Sequence, residues 1–194
     1  MDIPPTIGLI LAGGRSRRMG TDKALVTLAG RSLAAHVIER LAPQVDEVVI
    51  SSNAPRVDFG VSVLPDVLGG YCGPLAGVHA ALARFPDAAV VSVAVDLPLL
   101  PRDLVARLKT GWDGVRCRYA VCGDRHALAI LWPPAFANSL WNYLTQGRRS
   151  VSDWLEHHGE PVPVPSDGDA DLRLNINTPA DLARAVGLVA HRGR

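Results

Sequence analysis

The chain has 194 residues, enough for one sizeable core, and a formal net charge of +1, which excludes a global field that would favour nucleic acid or acidic membranes. Its three cysteines, Cys72, Cys117 and Cys122, form no CxxC pair, so neither a disulfide framework nor a cysteine zinc site is expected. Met1-Asp2-Ile3-Pro4-Pro5 lacks the basic-then-apolar layout of a signal peptide, and no apolar run nears the ~20 residues that span a bilayer, so a reduced, cytoplasmic protein is expected.

In chain order, Ile7-Gly8-Leu9-Ile10 reads as a buried first strand. Ser32 is placed to cap a helix in which Leu33, Val37 and Leu41 share a face with Ala34 and Ile38; Pro43 ends it. Val48-Val49-Ile50 and Val61 to Leu64 are two further strands. Pro74 suits the first turn of a helix carrying Leu75, Val78 and Leu82. The near-continuous apolar run from Ala89 to Val95 marks a central parallel strand covered on both faces. Pro101 opens a helix with Leu104 and Leu108 inward. Val115 to Val121 and Ala127 to Leu131 read as strands, and Pro134 to Thr145 as a helix. Ser150-Val151-Ser152-Asp153 and Thr178-Pro179-Ala180-Asp181 both have capping-box spacing; the second opens a helix with Leu182, Ala185 and Val186 inward. Pro163 to Asp171 reads as a polar loop. No repeat or linker divides the chain. The alternation predicts one α/β domain over residues 1–194 with a mostly parallel sheet and flexible ends at 1–5 and 190–194.

Ligands of such sheets bind beyond the carboxyl ends of the strands. Gly13 and Gly14 follow the first strand, Asn53 the second, Asp66 the third, and Asp96 the long apolar run. The segment from Leu11 to Leu25 carries the strongest signal. Gly13-Gly14 permit a tight turn and close approach to a ligand. Arg15, Arg17, Arg18 and Lys23 follow, opposed only by Asp22. Alone, the arginines describe a solvated basic turn; behind a glycine turn leaving a strand, they are built for phosphate. A P-loop is excluded because Gly20 is followed by Thr21-Asp22-Lys23, and the dinucleotide pattern G-x-G-x-x-G fails at Arg15.

The loop resembles instead that of nucleotidyltransferases that activate sugars and cofactors with an NTP. More narrowly, Leu11 to Leu25 resembles the LAGGxSxRMGxDKxL motif of the molybdenum cofactor guanylyltransferase family. Gly73-Pro74-Leu75-Ala76-Gly77 matches its GPLAG element, Asp96-Leu97-Pro98 its Asp-x-Pro, and Asn175-Ile176-Asn177-Thr178-Pro179 its late N-x-NTP element. The resemblance spans nearly the whole chain in the right order. It implies a three-layer α/β/α, Rossmann-like nucleotidyltransferase that moves GMP from GTP to molybdenum-bound molybdopterin, with Mg²⁺ required.

By that resemblance, Leu11, Ala12, Gly13 and Gly14 hold the guanine and ribose side of GTP through the backbone. Lys23 meets the phosphates, a role suited to a mobile point charge. Arg15 and Arg18 steady the outer phosphates, while Arg17 has no specific task. Asn53 reads the nucleotide with its amide, Asp66 accepts a hydrogen bond from guanine or ribose, and Asp96 holds Mg²⁺. Asn175 and Asn177 contact the pterin or the metal. The resemblance also implies transient contacts with cofactor-delivery proteins and molybdoenzymes. Each residue has a plainer reading as well: Asp96 as a helix cap, Asp66 as a turn former, Asn53 as a strand terminator, Asn177 as part of a turn and cap. Two other functions fit the pattern: a cytidylyltransferase using CTP on the same pterin, and a non-catalytic nucleotide-binding or cofactor-carrier module. Gly13-Gly14 and Asp22-Lys23 favour GTP over CTP, because the cytidylyltransferase loop resembles LAAG followed by Pro-Lys. Lys23 and Asp96 favour catalysis over carriage.

His126-Ala127 departs from the family's pattern at that place, so Arg125 and His126 read as a surface turn. His157 and His158 are adjacent and point apart on a helix, which argues against a metal pair. Cys72 reads as a small buried filler. Trp112, Trp132, Trp141 and Trp154 do not interleave with basic residues, which argues against a nucleic-acid stacking surface.

Overall fold

Period-two alternation sorts the strand residues onto two faces, and each face recruits its own helices. The computed structural model describes residues 4–12, 22–52, 59–65, 73–123 and 125–192. In chain order these form β1 (Thr6–Leu11), a short 3₁₀ turn (Lys23–Leu25), the small hairpin β2 (Thr27–Leu28) and β3 (Arg31–Ser32), α1 (Leu33–Leu41), β4 (Glu47–Ser51), β5 (Ser62–Leu64), α2 (Pro74–Arg84), β6 (Ala89–Ala94), α3 (Leu104–Lys109), β7 (Cys117–Cys122), β8 (Arg125–Trp132), α4 (Ala137–Thr145), α5 (Val151–His158), β9 (Gly159–Pro163) and α6 (Pro179–Arg192). The main sheet has the order β5-β4-β1-β6-β8-β7-β9. The ladders joining β5, β4, β1 and β6 are parallel, as is that joining β7 and β9; within this sheet β8 alone runs against its neighbours.

Ile10, Ile50, Val91 and Val93 face one side, where Leu33, Val37 and Leu41 of α1, Leu104 and Leu108 of α3, and Ala185 of α6 cover them. Ile7, Leu9, Val49 and Val90 face the other, under Leu75, Val78 and Leu82 of α2, Leu140 and Leu144 of α4, and Trp154 and Leu155 of α5. The result is three layers. Each fully buried leucine contributes about 1.5–3 kcal/mol of transfer free energy, and the central strand β6 is buried at every residue. Its one polar side chain, Ser92, accepts a hydrogen bond from Trp132 Nε1 at 2.8 Å, so this hydroxyl is not left alone in the core. No helix among the described residues is long and apolar enough to cross a membrane.

The predicted caps at Ser32 and Ser150 are present: their hydroxyls accept from Ala35 N and Asp153 N, each at 3.1 Å. Two expectations shift, and one strand has no counterpart among them. The helix expected to open at Pro101 begins at Leu104, because Pro101 is held in a preceding turn by Leu104 N and by Gln44 Nε2 bonding to its carbonyl. Val186 is 45% exposed rather than inward; α6 touches the core through Ala185 and in part Leu182. β9 has no counterpart among the expected elements, and Pro163, expected to open a polar loop, is its last residue. Its only ladder is to β7, and an edge strand tolerates a residue without an N–H.

His79 on α2 is 8% exposed, and its Nδ1 finds no hydrogen-bond partner among the described residues. Its ring lies 5.1 Å from that of Trp141. Burial pushes its pKa below 6.5, and burial, then the charges of His157 and Arg116, do the same for His158. The unfolded chain therefore takes up protons near pH 6.5 that the folded chain refuses. The stability these neutral rings allow is complete above pH 6.5 and is lost as pH falls through that value. Urea midpoints are expected to fall between pH 7.5 and 5.5, and His79→Leu to fall less steeply. Parallel slopes in the two proteins would remove His79 from this account.

Candidate functional site

Past its last ladder pair, the sheet keeps its register for one more residue. Ala12 N donates to Ser51 O at 3.0 Å, and Val95 N donates to Leu11 O at 3.2 Å. The ends of β4, β1 and β6 thus emerge together at one edge, and Asp96 stands there two residues beyond the end of β6. On the facing side α2 comes unusually close. A methyl at Gly77 would stand 2.6 Å from Ser51 Oγ and 3.1 Å from Leu11 Cδ2. Gly73, at a φ of +79°, turns the chain into this helix with Pro74 in its first turn.

Lys23 reaches the same edge through a local device. Asp22 Oδ1 accepts from Ala24 N at 3.0 Å and caps the 3₁₀ turn, while Ala24 is fully buried as its anchor. The ammonium of Lys23 lies 2.6 Å from Asp96 Oδ2 and 2.6 Å from Asn177 Oδ1. A lysine ammonium only donates, so the oxygen of the Asn177 amide must face it. The amide nitrogen then donates to Asn175 Oδ1 at 2.7 Å. Asp96 is 9% exposed, and its second oxygen, Oδ1, is buried without a hydrogen-bond partner among the described residues.

A strap between β9 and α6 delivers the two asparagines. Three backbone bonds pin it to the sheet edge: Val164 N to Val121 O at 2.8 Å, Asp171 N to Leu99 O at 2.8 Å, and Ile176 N to Asp96 O at 3.1 Å. Arg40 of α1, 8% exposed, ties the middle of the strap down, donating to Leu100 O at 3.1 Å and to Asp169 Oδ2 at 2.6 Å. Burial raises the pKa of Asp169, but the hydrogen bond and charge of Arg40, with help from Arg102, outweigh it and hold the carboxyl below its usual range.

Of the residues singled out from sequence, the structure thus brings together Lys23, Asp96, Asn175 and Asn177, beside the strand ends at Leu11 and Ala12. Asp96 caps no helix. Gly13, Gly14, Arg15, Arg17, Arg18, Asn53, Asp66 and Cys72 lie outside the described residues. Arg125 and His126, expected in a surface turn, instead open β8 and pair with Cys122 and Val121 of β7; His126 is exposed, its ring edge-on to Tyr119 at 6.3 Å. Sequence reading missed the link from Lys23 to Asn177, for which spacing gives no signal. It also missed Arg40, whose signal was a cation three residues after Val37 on an otherwise apolar helix face.

A mostly parallel sheet whose carboxyl edge gathers an ammonium, a carboxylate and two amides marks an α/β protein with a polar ligand site where open α/β sheets bind their ligands. Residues 8–162 match the model of the MobA-like NTP transferase domain. Among curated relatives, molybdenum cofactor guanylyltransferase of Rhizobium meliloti (strain 1021) is 42% identical, with 94% of this chain and 90% of the relative covered. The protein of the same name from Shewanella sp. (strain ANA-3) is 37% identical, with 91% and 92% covered. Among solved structures, molybdopterin-guanine dinucleotide biosynthesis protein A from Archaeoglobus fulgidus superposes with a TM-score of 0.76 at 26% identity, covering 95% of this chain and 99% of that one. The chain belongs to the MobA-like NTP transferase family.

Proposed function

We propose that this protein transfers GMP from GTP to molybdenum-bound molybdopterin, giving the guanine dinucleotide form of the cofactor and pyrophosphate. The observation that carries the proposal is the bridging of Lys23 between Asp96 and Asn177 at the carboxyl edge of the sheet. The names of the relatives in two bacterial genera support the choice of base and acceptor.

In this reading a terminal phosphate oxygen of the pterin attacks the α-phosphorus of GTP. The bond to the bridging oxygen breaks, and pyrophosphate leaves with the electron pair. The nucleophile comes with the substrate, so the protein's part is alignment and neutralisation of charge. Lys23 spends two of its three hydrogens on Asp96 and Asn177 and keeps one for a phosphate oxygen. Leu11, Ala12, Gly13 and Gly14 would seat the nucleoside through backbone groups. Arg15 and Arg18 would meet the outer phosphates, and Asn53 and Asp66 the base or ribose. Asn175 and Asn177 would contact the pterin or the metal, and cofactor-delivery proteins and molybdoenzymes would make transient contacts with the protein.

A hard divalent cation fits the donors present. Asp96 Oδ1 is an oxygen buried without a partner among the described residues, and Asn177 Oδ1 is a second oxygen held on the same ammonium. No cluster of three His, Cys, Asp or Glu residues occurs among the described residues. One carboxylate with substrate phosphates and water is the manner of Mg²⁺. Held by Asp96, Mg²⁺ would supply charge neutralisation at the transferring phosphate.

The test is direct. With molybdenum-bound molybdopterin and Mg²⁺ present, pyrophosphate release is expected to be faster with GTP than with CTP. Faster release with CTP overturns the assignment of the base, and release with neither overturns the transfer reaction.

A further inference from the structure

We propose that Asp181 is a positioning residue for nucleotidyl transfer, acting through Asn177 on Lys23. The inference rests on the reading that Lys23 meets the phosphates of the nucleotide.

A capping box asks one hydrogen bond of its acidic member, from the backbone N–H of the cap residue. Asp181 does more. Its Oδ2 accepts from Thr178 N at 2.9 Å, from Thr178 Oγ1 at 2.9 Å, and from Asn177 N at 3.1 Å. The reciprocal cap bond, Asp181 N to Thr178 Oγ1 at 3.2 Å, is also made. The bond to Asn177 N has no place in this helix end. The orphan donors of a helix begin at its cap, and Asn177 lies before the cap. That bond does nothing for α6; it fixes the peptide that carries the Asn177 side chain.

What is fixed there matters because the Lys23 stem is long and flexible. Asp96 holds the ammonium from one side and Asn177 Oδ1 from the other, both at 2.6 Å. With Asn177 N released, the amide turns with its own backbone and Asp96 becomes the sole anchor of the ammonium. The other oxygen of Asp181 is engaged by Arg184 Nη2 at 2.7 Å. Hydrogen bonds from the Thr178 hydroxyl and the Asn177 backbone, with help from Arg184, hold its carboxyl below the usual range, so the clamp is ionised at neutral pH. Asp181, Asn177 and Lys23 therefore form one relay, whose last member faces the metal-binding carboxylate.

An ammonium displaced by an ångström still attracts a triphosphate, but it no longer meets the charge that develops in the transition state. Asp181→Ala is therefore expected to lower kcat about tenfold with KM for GTP changed less than threefold. The isosteric Asp181→Asn, which keeps the shape of the side chain, is expected to lose about threefold. The deciding measurement is the pair with Asn177→Ala. If Asp181 acts through Asn177, the double variant is no slower than Asn177→Ala alone. A cap that merely stabilises α6 would lower the melting temperature, and its effect on kcat would be absent or would multiply with that of Asn177→Ala. Multiplying losses, or wild-type kcat in both Asp181 variants with matched circular dichroism, overturn the proposal. Lys23→Ala measured alongside separates the two levels. An unchanged kcat/KM there overturns the reading of Lys23 itself, whereas a loss there with none at Asp181 overturns the positioning role alone.

Discussion

Asp96→Asn is expected to lower turnover with saturating GTP about a thousandfold, equivalent to roughly 4 kcal/mol of lost transition-state stabilisation. The far-ultraviolet circular dichroism spectrum is expected to match that of the wild type. The substitution preserves volume at a site only 9% exposed, and the backbone bond from Ile176 N to Asp96 O does not involve the side chain. What changes is chemistry. One oxygen survives to accept from Lys23. The other position becomes an amide NH₂, which directs hydrogens where the unpartnered Oδ1 offers a lone pair. A cation held there meets a donor instead of a ligand, and Lys23 loses its counter-charge in the same step. Near-wild-type release of pyrophosphate by a folded Asp96→Asn protein would sink the role proposed for this carboxylate.

Lys23→Met is expected to reduce kcat/KM for GTP by about a hundredfold, some 2.7 kcal/mol. Methionine keeps the length and apolar character of the stem, so the change isolates the ammonium. Two acceptors are left behind, Asp96 Oδ2 and Asn177 Oδ1, in a site where the Asp96 side chain is 12% exposed. An unsatisfied acceptor of this kind costs about 1–3 kcal/mol, so the urea midpoint is expected to fall as well. Lys23→Arg is expected to recover little activity. A planar guanidinium presents its donors in a rigid fork, whereas the ammonium meets two oxygens at 2.6 Å from a single point. Unchanged kcat/KM in Lys23→Met, or full recovery by arginine, would remove Lys23 from phosphate handling.

The sheet's carboxyl edge was legible because burial on both faces leaves a plain mark. β1 and β6 are largely apolar runs, and within two residues of their ends come Gly13 and Asp96, where the apolar run breaks. The Ser32 and Ser150 caps were legible because a hydroxyl three residues before an N–H has one natural partner. The β2–β3 hairpin was not. Its turn uses Ala29 and Gly30, both at positive φ, without the Asn-Gly or Asp-Gly pair that normally announces such a turn. β9 hid behind prolines that its edge position excuses. The partnership of Lys23 with Asn177 had no local signature, because it is made by a strap whose course is set by bonds to Val121, Leu99 and Asp96. The family motif named both residues but gave no reason for them to touch.

The strap also sets the order in which the molecule is put together and comes apart. Lys23 and Asn177 are 154 residues apart, so their contact closes almost the whole chain into a loop. Such a closure is among the last gains of folding, because its entropy cost precedes any reward from packing. The parallel ladders of β4, β1 and β6 need none of it. Partial opening therefore begins where the strap leaves the edge, with the two apolar layers still closed. Competence for transfer is a more fragile property of this chain than its fold, and heat or denaturant will take the first before the second.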